Sequence, residues 1–118
     1  MTGAHLLLDL HNVPDLTMLE TVEALDALVA ALSDRFPLTI VGRAAHQFQP
    51  IGATVVYLLA ESHLSIHTWP EEGRLCFDLF CCSPRFDLTE VVGFVVDWYG
   101  DRAQATWQIV PRTGRGPG

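Results

Sequence analysis

The side chains able to do chemistry are few in this chain, and they gather in one stretch. Between positions 61 and 72 stand Glu61, Ser62, His63, Ser65, His67, Thr68, Glu71 and Glu72, with apolar runs on both sides. The other histidines are His5, His11 and His46. A polar group left unpartnered among apolar strands costs about 1–3 kcal/mol, and a purely structural segment has little reason to concentrate that cost. A single strand histidine is ordinarily a core or surface residue; the cluster points to chemistry. His63 and His67 share a strand face with Ser65 between them, which suggests a metal. Their imidazoles would stand about 13 Å apart along an extended strand, too far for one ion. Ser62, His67 and Cys82 are residue types of a hydrolase, but nothing around the serine resembles a nucleophile elbow. A third reading rests on the pair Glu61-Ser62 itself.

The three cysteines, Cys76, Cys81 and Cys82, match no paired zinc pattern and, with no secretory leader, no disulfide framework. Free thiols are expected. Neighbours on a strand point to opposite faces, so at most one of Cys81 and Cys82 is expected in a given pocket. All seven basic residues are Arg, and no lysine occurs. Pyridoxal phosphate is normally held as an imine on a lysine, so its chemistry is excluded by that route. Fourteen acidic residues against seven basic ones give a formal net charge of −7. A phosphate-backbone binder presents a cationic face, so no nucleic-acid partner is expected. Neither a membrane-spanning apolar run nor a basic-then-apolar leader is present; a cytoplasmic location is the expectation.

The 118 residues allow one domain. Residues 4–10 read as a strand. From Thr17 to Asp34 apolar positions recur at helical spacing, with Thr17 and Glu20 in the form of a capping box and Pro37 ending the segment. Residues 38–48, 53–60, 63–68 and 74–82 read as strands. Asp87 opens a second helix that reaches Gly100, and residues 103–110 form a last half-exposed strand. Pro111–Gly118 has almost nothing to bury and is expected to be a disordered tail. The order β-α-β-β-β-β-α-β leaves most strands joined by short turns. It predicts an α+β fold: a two-layer sandwich whose mostly antiparallel sheet carries both helices on one face. The opposite face is expected to be too apolar to stay wet, and so to be buried in a dimer.

The string ESHLSIHTWPE, Glu61 to Glu71, closely resembles the processing-site motif of the S-adenosylmethionine decarboxylase proenzymes of the short prokaryotic class. The likeness continues in His46-Gln-Phe48-Gln-Pro50-Ile-Gly52, in Asp78-Leu-Phe80-Cys81-Cys82 and in the opening Gly3-Ala-His5-Leu, roughly residues 3–85. It implies a single domain over residues 1–110, active as a homodimer of cleaved protomers. It also implies a pyruvoyl group made from Ser62, with no pyridoxal phosphate and no metal. By that analogy Ser62 Oγ attacks the carbonyl of Glu61, His67 accepts the α-proton of residue 62, and elimination leaves chains 1–61 and 62–118. The pyruvoyl ketone then takes the amine of S-adenosylmethionine as an imine and serves as the electron sink for loss of carbon dioxide. The product feeds spermidine biosynthesis. Cys82, which an ungapped count selects over Cys81, is implied as the proton donor in catalysis. Phe48 and Glu71 are implied in substrate binding, on adenine or sulfonium and on the ribose hydroxyls respectively. Thr54 stands where the family usually has a serine that assists processing; its stiffer side chain predicts slower cleavage.

The last third of the chain carries little of the family pattern. The pyruvoyl group decides the reaction and other residues decide the substrate, so a pyruvoyl-dependent ornithine or arginine decarboxylase is the alternative reading. A non-catalytic dimeric module that kept the fold is a third, against which the intact Ser62 and Cys82 argue.

Overall fold

Burial alternates residue by residue along the central strands, and this dictates the layering. The computed structural model describes residues 2–82 and 85–113. Along the chain come β1 (Thr2–His11), a 3₁₀ turn (Leu16–Leu19), α1 (Val22–Arg35), β2 (Ile40–Gln47), β3 (Ala53–Leu59) and β4 (Ser62–Trp69). A second 3₁₀ turn (Pro70–Glu72), β5 (Arg74–Cys82), α2 (Leu88–Tyr99) and β6 (Gln104–Thr113) follow. The strands form one sheet in the order β2-β3-β4-β5-β1-β6, with every neighbouring pair antiparallel. Helix α1 packs against β3 and β2, and α2 against β1 and β6. Between the layers lie Leu6, Leu8, Leu64, Ile66, Phe77 and Leu79 from the sheet, with Leu25, Leu28, Val91 and Val95 from the helices, all fully buried or nearly so. The α+β sandwich expected from the sequence is the fold observed.

Three details differ from the sequence reading. Thr17 and Glu20 do not cap α1. Asp15 caps the 3₁₀ turn at Thr17, whereas α1 starts at Val22 behind Thr21, whose hydroxyl accepts from Ala24 N at 3.1 Å. Thr21 is extended (φ −129°, ψ 156°), and the preceding Glu20 carbonyl is taken by Gly52 N and Gln47 Nε2 rather than by a helical amide. Strand β6 also continues through Thr113, so Pro111 and Arg112 belong to the sheet. An edge strand tolerates Pro111, which has no N–H to offer the ladder. Residues 114–118 of the expected tail lie outside the described residues.

The third difference concerns the face opposite the helices. Its residues are mixed, not apolar. The register puts Leu7, Val56, Leu58 and Phe80 on it, but also Asp9, Ser65, Cys76 and Asp78. All five histidines, His5, His11, His46, His63 and His67, share this face. The apolar runs in the sequence belong largely to positions that point toward the helices.

Candidate functional site

Strand β4 separates the predicted site residues into two groups, one at each end. At its start, the turn between β3 and β4 holds Glu61 in the left-handed region at φ 64°, directly before Ser62. A residue with a Cβ is held there at a cost of roughly 1–2 kcal/mol, so the backbone of Glu61, next to the peptide bond it shares with Ser62, is the strained point of this turn. Ser62 Oγ accepts from Cys82 N at 3.3 Å. A cavity of about 370 Å³ opens here, lined by Glu61, Ser62, Cys81, Cys82, Arg85 and Phe86 among others.

Both adjacent cysteines line this cavity, against the expectation that only one would. They do point to opposite sides of β5, with Cys81 buried and Cys82 half-buried. Because β5 ends at Cys82, the cavity reaches both. Register puts Ser62 on the helix side of the sheet, the side Cys81 takes. Burial pushes the Cys81 thiol up to about 11, so it is neutral at physiological pH. The sequence points to Cys82; that Cys81 shares the face of Ser62 depends on the β4–β5 register, which residue types alone do not reveal.

At the far end of β4 lie the other predicted residues. His67 is exposed on the face away from the helices, and its Nδ1 is 3.0 Å from Thr54 Oγ1 on β3. Phe48, just beyond β2, is 46% exposed and packs edge-on to His46 at 4.7 Å between centroids. Glu71 is exposed in the second 3₁₀ turn, after Pro70. Phe48 and Pro70 both come close to Gly52: a Cβ there would meet Phe48 Cβ at 3.7 Å and Pro70 Cδ at 3.6 Å. Phe48, Thr54, His67 and Glu71 thus gather at one end of the sheet.

The two groups do not meet within one chain. Ser62 and His67 are five residues apart on an extended strand, about 16 Å, and point to opposite faces. Among the described residues no three His, Cys, Asp or Glu side chains converge as metal ligands.

A family model described as S-adenosylmethionine decarboxylase matches residues 4–110. The chain belongs to the S-adenosylmethionine decarboxylase family. It is 45% identical over 94 residues to the S-adenosylmethionine decarboxylase proenzyme of Aquifex aeolicus, covering 80% of this chain and 69% of that protein. To the proenzyme of Clostridium botulinum it is 34% identical over 94 residues, covering 80% of each. The crystal structure of the adenosylmethionine decarboxylase from Aquifex aeolicus matches with a TM-score of 0.77 at 33% identity, over 90% of this chain and 88% of that one. The family-model match extends through α2 and into β6, the third of the chain where the motif likeness is thin. The names of these relatives state S-adenosylmethionine, and neither ornithine nor arginine, as what those proteins decarboxylate.

Proposed function

We propose that the chain is a self-processing, pyruvoyl-dependent S-adenosylmethionine decarboxylase that works as a homodimer in the cytoplasm and supplies the decarboxylated product for spermidine synthesis. The observation that carries this reading is the left-handed backbone of Glu61 directly before Ser62, both of which line a cavity. Ser62 Oγ, held by the Cys82 amide, attacks the Glu61 carbonyl carbon; the peptide C–N bond breaks and an ester replaces it. Removal of the α-proton of residue 62 then expels Glu61 as a free carboxylate. The dehydroalanine left behind takes up water and releases ammonia, which converts residue 62 to a pyruvoyl group. Leaving the left-handed conformation relieves strain in the direction of cleavage. The residues around Ser62 fit such a group: the cavity gives a substrate room, and a thiol stands at its edge.

His67 is the proton acceptor. The tautomer suited to this role carries hydrogen on Nδ1, donates it to Thr54 Oγ1 and leaves Nε2 free. Because Ser62 and His67 are far apart in one chain, a two-fold dimer is the natural way to unite them. In such an assembly contacts are reciprocal, so His67 of the partner subunit can serve Ser62 of the first chain and the reverse. Phe48 and Glu71 travel with His67, and the substrate would lie between the two chains. Once formed, the ketone supplies the electron sink for decarboxylation. Cys82 returns a proton to the substrate α-carbon; Phe48 stacks on the adenine or faces the sulfonium, and Glu71 accepts from the ribose hydroxyls.

Intact-mass analysis of the purified protein, with release of labelled carbon dioxide from S-adenosylmethionine, ornithine and arginine, tests the reading. Two fragments, of residues 1–61 and 62–118, and turnover of S-adenosylmethionine are expected. A single uncleaved 13.0 kDa species in fully active material would sink it.

A further inference from the structure

The side chain with the densest hydrogen bonding near the far end of β4 is one that the site motifs did not single out. Gln47, the last residue of β2, turns its amide toward the helix side of the sheet. Its Oε1 accepts from Val22 N, the first amide of α1, at 2.8 Å. Its Nε2 lies 2.9 Å from Glu20 O, 3.0 Å from Phe48 O and 2.9 Å from Gly52 O. With two hydrogens for three carbonyls, one hydrogen is shared. Two backbone bonds close the same ring: Phe48 N donates to Gly52 O at 2.8 Å, and Gly52 N to Glu20 O at 2.9 Å. The segment 48–52 is therefore tied at both ends to one amide, which also caps α1.

Phe48 is the residue this arrangement leaves outside. Its backbone is pinned through its own N–H and C=O, while its ring stays exposed beside His46. We propose that Gln47 is a positioning residue for substrate: it holds segment 48–52 so that the Phe48 ring is already placed for the adenine or sulfonium, and it takes no part in self-cleavage. The proposal rests on the reading of Phe48 as a substrate contact. Preorganising an exposed aromatic ring lowers the ordering cost of binding, and its loss appears in KM more than in kcat.

Thr68 provides a control. It is buried on β4, accepts from Ala53 N at 2.9 Å and donates to Leu19 O at 2.8 Å. Its hydroxyl ties β4 to β3 and to the first 3₁₀ turn and makes no hydrogen bond to segment 48–52.

The test compares Gln47→Leu, Phe48→Ala, the double variant and Thr68→Val in full-length, self-cleaved protein. The KM for S-adenosylmethionine should rise about five- to tenfold in Gln47→Leu and in Phe48→Ala, with kcat within about twofold. Gln47→Leu should add less than about twofold on the Phe48→Ala background. Thr68→Val should lower the melting temperature and leave KM unchanged. Hydrogen exchange at the Phe48 and Gly52 amides should speed up in Gln47→Leu and not in Thr68→Val, a readout independent of turnover. Should Gln47→Leu not fold, Gln47→Glu retains the acceptor for Val22 N, removes the donors and is judged by the same criteria. An unmoved KM or unmoved exchange in the folded Gln47 variant overturns the proposal, as does full additivity with Phe48→Ala. Failure of Phe48→Ala to change KM instead refutes the substrate role of Phe48, and the proposal with it. No turnover of S-adenosylmethionine by wild-type protein refutes the functional reading, and exchange then decides whether Gln47 holds the segment.

Discussion

Ser62 and His67 belong to the same eight-residue strand, yet they lie near its opposite ends and on opposite faces of the sheet. Residues that the motif presents as neighbours are thus kept apart by the geometry of the strand that carries them.

That relationship makes a complementation experiment decisive for the dimeric site. Ser62→Ala and His67→Ala chains should each fail to cleave, or do so very slowly, when alone. Co-expressed, they should form mixed dimers in which a His67→Ala chain, with its own Ser62, meets a partner with an intact His67. Mass spectrometry should then find fragments from the His67→Ala chain only. No rescue in mixed dimers shown to form would rule out the shared site.

The left-handed backbone of Glu61 leads to a prediction about rate. Glu61→Gly removes the Cβ and with it the strain, and should slow self-cleavage about five- to tenfold. Glu61→Ala keeps the Cβ and removes only the carboxylate, so it separates strain from charge: it should cleave faster than the glycine variant. Time courses followed by gel and mass would decide, and equal rates would dismiss strain as a driving force.

Cleavage and turnover should separate at Cys82. Cys82→Ala leaves the backbone N–H that donates to Ser62 Oγ, so fragments should still appear. Loss of the proposed proton donor should reduce kcat by about a hundredfold or more. Unchanged turnover in Cys82→Ala would shift attention to Cys81, whose side chain lies on the Ser62 side.

The buried Cys81 thiol has a consequence in alkali. Burial raises it from an ordinary 9.0 to about 11, so folding favours its neutral form. Its contribution to stability is complete below pH 9 and is lost as the pH rises through 11. Burial also raises Tyr57 and Tyr99, so the comparison must be with a variant. Melting temperatures measured from pH 8 to 11 should fall less steeply in Cys81→Ala than in wild type. Identical slopes would contradict the assignment.

Much of the layout was legible in residue order. The alternation in RLCFDLFCC, residues 74–82, announces β5, and the helical spacing of Leu25, Leu28 and Leu32 announces α1, because burial against one surface imposes a fixed period. Thr17 and Glu20 misled because α1 starts behind a different local cap, Thr21, while Gln47 and Gly52, more than twenty residues away in sequence, take up the Val22 amide and the Glu20 carbonyl. That Cys81 shares a face with Ser62 was hidden for a related reason. Adjacent cysteines show that two faces are served, but which face meets the serine depends on how β4 and β5 are aligned.

Residue types and order by themselves determined the α+β class and the absence of any lysine for pyridoxal phosphate. These follow from periodicity and composition, which need no knowledge of distant contacts. Only the tertiary structure decided that all five histidines share one face, that Ser62 and His67 stand apart, and that one glutamine holds the Phe48 segment. Each of those depends on strand register and on hydrogen bonds between remote segments. Such long-range pairings are set by the folding of the whole chain and leave little trace in the short stretches that take part in them.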